Sequence, residues 1–187
     1  MLSNGFLPRF KHETEKLWKG KPLDPQIYGF QFQAGTRWFP GLSEQQILAF
    51  ENEVCARFPN DFRAFLRAMN GTDLPTLNIY GSSGQPMRES IGVYSFPRDL
   101  ERVMRCISEV NEDRDTLRGT LSDEGFELSE NTKLVPIYMH RFVACEEDQD
   151  RCAVLSIADP EDAIVYGKEL QEYLEREFLG KVSSWAN

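Results

Sequence analysis

Between Leu42 and Gly71 the sequence punctuates itself so tightly that only two adjacent helices fit. Ser43 and Gln46 form an S-x-x-Q capping box, and Leu42 and Ile47 stand where a hydrophobic staple places them. Ile47, Phe50 and Val54 then share one apolar face, and Phe58-Pro59 predicts the stop, because a proline ring disfavours helical geometry in the residue before it. Asn60 serves as the next N-cap and Asp61 complements the helix dipole, while Phe62, Phe65, Leu66 and Met69 recur at helical spacing. Asn70-Gly71 predicts a left-handed stop. A link this short makes the pair a helical hairpin or corner covering one face of a sheet.

Sheet signals follow. Residues 76–80 and 91–96 predict strands around a flexible loop at 81–86. Leu100, Val103, Met104 and Ile107 predict a third helix that ends in the polar stretch 111–115, and residues 112–133 carry so little periodicity that they predict a loop or a frayed short helix. One strand is expected over 134–142, an acidic loop at 146–151, a return strand at 153–157, a turn at 159–162 and a further strand at 163–166. Such short connections make this a three-strand antiparallel meander. Gly167 precedes a last helix with Leu170, Tyr173, Leu174 and Phe178 on its buried face. Residues 1–37, rich in aromatics and prolines, predict an irregular arm packed on the body, with a short strand at Tyr28, Phe30 and Phe32; residues 38–187 form the domain proper. The fold class is α+β: four amphipathic helices on a mainly antiparallel sheet.

Composition narrows the partners. A chain of 187 residues suits one domain with a full core. The net charge of -9 opposes binding to nucleic acid, whose affinity comes from Lys and Arg displacing counterions, and suits a cationic protein. Charges interrupt the first 20 residues, so no signal-peptide segment is expected there, and no run approaches the roughly 20 apolar residues of a membrane helix. The expected compartment is the cytoplasm, with Cys55, Cys106, Cys145 and Cys152 as reduced thiols. Cys145 and Cys152 flank the acidic loop, which leaves a cross-strand disulfide open. The oligomeric state is open too: aromatics of the arm could support a dimer or be covered by the chain itself.

The order of these motifs resembles a known family. Trp38-Phe39-Pro40-Gly41-Leu42-Ser43, Glu51 within the first helix of the pair, Phe58-Pro59-Asn60-Asp61-Phe62 and Phe65-Leu66-Arg67-Ala68-Met69-Asn70-Gly71 are similar to the N-terminal signature of the SUKH superfamily. The likeness continues through Leu134-Val135-Pro136-Ile137-Tyr138-Met139-His140-Arg141, Val154-Leu155-Ser156-Ile157, Asp162-Ala163-Ile164-Val165-Tyr166-Gly167 and the last helix, collinear from Trp38 to Phe178. That superfamily groups a fungal cell-wall assembly regulator with many bacterial immunity proteins. The resemblance implies a SUKH-like single domain that binds a protein partner, in bacterial members usually a cognate polymorphic toxin; an intracellular regulator or scaffold related to cell-wall assembly is the alternative. The shared positions build the scaffold and do not name the partner. The acidic insert and the aromatic arm lie outside the recognised pattern.

Candidate chemistry is weighed against plainer roles. His140 beside Arg141 could serve acid–base work, but strand alternation would place Tyr138, His140 and Phe142 on one face and Arg141 on the other. Cys145, Cys152 and His140 lack the paired spacing of a zinc site. Gly81-Ser82-Ser83-Gly84 has neither nucleophile-elbow nor phosphate-loop order and predicts a turn. The expectation is therefore no catalysis, no metal and no cofactor. The candidate partner-binding residues are the acids of the two hairpin connections, Glu146, Glu147, Asp148 and Asp150 in one and Asp159, Glu161 and Asp162 in the other, set at opposite ends of the sheet.

Overall fold

In the computed structural model, residues 2–20, 22–27, 29–79, 88–89, 91–146 and 149–180 are described. The near-continuous apolar run after residue 133 becomes the central sheet: β6 (Lys133–Tyr138), β7 (Arg141–Cys145), β8 (Val154–Asp159) and β9 (Asp162–Gly167), paired in that order and antiparallel throughout. β6, β7 and β8 are apolar at successive positions because both faces are covered there, whereas β9 leaves Ile164 exposed. Val135, Val143 and Val154 point into the main core, while Leu134, Phe142, Leu155 and Ile157 join a second cluster on the other face.

The meander has one strand more than the sequence predicts. The expected single strand over 134–142 breaks at Met139 and His140, which form a two-residue turn between the paired Tyr138 and Arg141. Met139 takes φ 51°, a left-handed conformation uncommon for a long side chain.

Covering the main face are α1 (Phe6–Lys19), α2 (Glu44–Glu53), α3 (Asn60–Ala68) and α6 (Leu170–Leu179). The expected irregular arm is thus in part a helix of 14 residues. Phe6, Phe10, Thr14 and Trp18 are buried at a spacing of four, and Pro8 is tolerated because the first-turn N–H groups have no partners within a helix. Trp38 Nε1 donates to Thr14 Oγ1 at 2.8 Å, and Phe10, Trp18, Trp38 and Phe178 meet ring to ring.

α2 carries the predicted capping box but ends at Glu53, before Phe58-Pro59, because Cys55 turns left-handed at φ 50° and starts the link to α3. Pro59, not Asn60, caps α3, and Asn60 is its first helical residue. The predicted stop at Asn70-Gly71 is replaced: the helix ends at Ala68, and Met69–Thr72 is a strand, β3, antiparallel to β2 (Trp38–Pro40). Gly71 lies inside that strand at φ 74°, where an added Cβ would fall 2.6 Å from the Val93 carbonyl oxygen.

A three-stranded sheet of β1 (Gly29–Gln31), β4 (Leu77–Ile79) and β5 (Arg88–Glu89) completes the β structure. The strand expected over 91–96 is one bridge, Val93 to Tyr138. α4 (Leu100–Val110) straddles the two clusters, Val103 in the main core and Val110 in the second, and the second cluster is completed by α5 (Arg114–Asp123), where a loop or frayed helix is predicted; Leu117 and Leu121, one turn apart, are fully buried. Among the described residues, six helices on antiparallel sheets make an α+β fold. Among the described residues no helix is long and apolar enough to cross a membrane.

Candidate functional site

Antiparallel connectivity puts the two acidic connections at opposite ends of the central sheet, and the ends differ. The β7–β8 loop folds back on the N-terminus of α3. Asn60 Nδ2 donates to Asp150 Oδ1 at 2.6 Å, and the Asp61 N–H donates to the Asp150 carbonyl at 3.1 Å. Glu146 accepts from Thr132 Oγ1 at 2.7 Å and from Gln149 Nε2. Asp150 and Glu146 thus hold the loop to the body; Glu147 and Asp148 lie outside the described residues, as do Ser82, Ser83 and the loop at 81–86.

Beneath this loop sit buried thiols and acids. Cys145 and Cys152 are free, and burial pushes both far above the usual thiol range. Cys152 donates its backbone N–H and its thiol to the Asp61 carboxylate, each at 3.2 Å. Burial raises the Asp61 carboxyl above the ordinary aspartate value against those bonds. Beside them Glu51, 2% exposed, accepts the Phe58 N–H at 2.8 Å and pairs with Arg63 at 2.7 Å. Arg63 also reaches Glu44, whose carboxyl is held down at about 2 by Arg67 and Arg63. These groups are consumed in tying α2, α3 and the loop together.

At the other end the β6–β7 turn and the β8–β9 turn lie side by side against the C-terminal half of α4, enclosing a cavity of about 300 Å³. Val110, Met139, Phe142 and Ile157 give it apolar walls; Arg102, Glu109, His140 and Asp159 bring polar groups. Asp159 lines the cavity, and Glu161 and Asp162 of the same turn are exposed outside the lining, with Asp159 Oδ1 accepting the Glu161 N–H at 3.1 Å. His140 is half-buried in a turn, not on a strand face. Burial and then the charge of Arg141, opposed by Asp162, lower its pKa to about 4. The imidazole is therefore neutral near pH 7, and its ring makes no hydrogen bond among the described residues. Arg141 points away from it: its guanidinium bonds Ser156 Oγ at 2.7 Å, pairs with Glu177 at 3.3 Å and stacks on Tyr166.

Neither Glu109 nor Arg102 stood out in the sequence, since both are ordinary polar positions on α4, and only the packing of that helix brings them to the β8–β9 turn. Among the described residues no three His, Cys, Asp or Glu side chains are placed to hold a metal ion. A family model described as the SMI1 / KNR4 family (SUKH-1) matches residues 41–177. No curated protein matches the chain.

Proposed function

Since this chain belongs to the SMI1 / KNR4 family (SUKH-1), a family whose members generally interact with other proteins, we propose that it is a non-catalytic binding protein, an immunity protein that neutralises a bacterial polymorphic toxin in the cytoplasm of the cell that makes it. The observation that carries this reading is the hairpin end of the sheet, where an apolar-walled cavity opens among exposed carboxylates in a chain of net charge -9. Acidic rims speed capture of basic partners by steering, and desolvated pockets near the centre of an interface hold the anchors that set its lifetime. Co-expression with the toxin encoded beside it should restore growth, and the two purified proteins should form a stoichiometric complex. Failure both to rescue growth and to form a complex with any neighbouring toxin would refute the reading. Several weak partners in place of one would favour the regulator or scaffold reading that the same family membership supports.

A further inference from the structure

We propose that the cavity beneath the Met139–His140 turn is the seat of an arginine side chain presented by the protein partner, an inference that rests on the protein-binding reading. Its volume of about 300 Å³ is at the small end for a ligand site and suits one long side chain. Val110, Met139, Phe142 and Ile157 offer apolar contact suited to a three-methylene stem. Two exposed carboxylates, Glu109 from α4 and Asp159 from β8, are among the lining residues and supply the negative charge that a guanidinium would meet.

The one cation among the lining residues is Arg102, set against two carboxylates, so the lining keeps a net negative charge with His140 neutral. A neutral imidazole accepts a hydrogen bond through its bare nitrogen, and His140 has no such partner within the described protein. Guanidinium fits these groups better than ammonium. It is flat enough to lie on Phe142, it donates in several directions at once, and its weaker hydration lowers the penalty of entering a partly apolar site.

Nuclear magnetic resonance of the His140 ring tests this directly, with exposed His12, the other histidine of the chain, as internal control. Acetyl-arginine amide should move the His140 signals saturably and leave His12 still; acetyl-citrulline amide, of the same shape but uncharged, should move neither. The double variant Glu109→Gln/Asp159→Asn should weaken the arginine probe at least tenfold and weaken the toxin complex by a similar factor. Asp123→Asn/Glu124→Gln, an equal charge change outside the cavity, should do neither. Circular dichroism melting checks that both double variants fold.

The outcomes separate the two ideas. Arginine binding at His140 without any toxin complex would uphold the cavity assignment and sink the immunity reading. A tight toxin complex that the Glu109/Asp159 variant leaves unchanged, with a His140 signal indifferent to arginine, would overturn the assignment while leaving the protein a binder. Equal response to citrulline and arginine would also overturn it, because shape and not charge would then govern the site.

Discussion

The carboxylate of Glu51 is almost wholly removed from water, a placement that is costly unless every lone pair finds a donor. It finds the Phe58 N–H, Arg63 and, at 3.3 Å, Arg57, so one side chain closes the link between α2 and α3 and anchors both helices. Deleting it leaves a buried N–H orphaned, while Arg63 keeps Glu44. Glu51→Ala is therefore expected to destabilise by about 3 kcal/mol, the low end for breaking a buried pair, and Glu51→Gln by less, since an amide oxygen still accepts from Phe58. Urea unfolding with an unchanged m-value reads this out. His140 gives a pH signature. Its folded pKa is about 4 against an ordinary 6.5, so between those values the unfolded chain binds the proton and the folded one does not. Stability should rise from pH 4 to 6.5 on this account and be lost as the pH falls through that window. After discounting for solvent screening at a half-buried site, the contribution is roughly 1–2 kcal/mol. The difference between wild type and His140→Gln across the window isolates it from Asp61, whose raised pKa works with the opposite sign. The sequence shows Glu51 only as a motif position, because its ion pairs reach Arg57 and Arg63 through a link whose path is not written in local periodicity.

Elements were legible where their signals are local. The Ser43–Gln46 box is present with both reciprocal bonds, and Ser43→Ala should cost about 1 kcal/mol in urea unfolding, as loss of an N-cap generally does. The last helix and β8 and β9 follow their apolar patterns for the same reason. The hairpin turn at Met139-His140 was illegible because it uses none of the Gly, Asn or Asp residues that announce such turns, so an apolar run reads as one strand. Similarly, α5 hides in polar sequence, its buried face reduced to Leu117, Leu121 and the tertiary contacts that cover them. Gly71 was noticed for the right conformation and the wrong element. It is left-handed, yet it serves close approach of β3 to residues 93–95 and does not stop a helix. Gly71→Ala combines a disfavoured φ with a backbone clash and should destabilise by about 2 kcal/mol or more, well above the roughly 1 kcal/mol of Ser43→Ala. Equal losses in the two variants would contradict the close packing of β3 on that segment.

At the scale of the whole molecule, the decisive question is where the folding unit begins. The family match starts at residue 41, but Phe6, Phe10 and Trp18 of α1 belong to the same core as Trp38, Phe65 and Phe178. Sequence pattern alone treats residues 1–37 as an arm, since aromatics interleaved with charges and Pro8 give no clean amphipathic signal; the helix is recognisable only once its spacing of four is seen against a wall of rings. Contacts between α1 and α6 join the two ends of the chain, with Ser3 N–H donating to Gln171 Oε1 at 2.9 Å. Removing residues 1–20 would uncover Trp38 and Phe178 and delete three buried aromatic side chains, each worth about 3–5 kcal/mol in a packed core. Their sum reaches the entire stability of an ordinary domain, about 5–15 kcal/mol, so a chain beginning at residue 21 should lose cooperative melting and its near-ultraviolet dichroism. The full-length Phe10→Ala variant, which leaves the helix in place, should still melt cooperatively at lower temperature. If the truncated chain instead melts within a few degrees of the full one, α1 is an accessory to a core that stands without it, and the boundary at residue 37 marks a true edge of the domain.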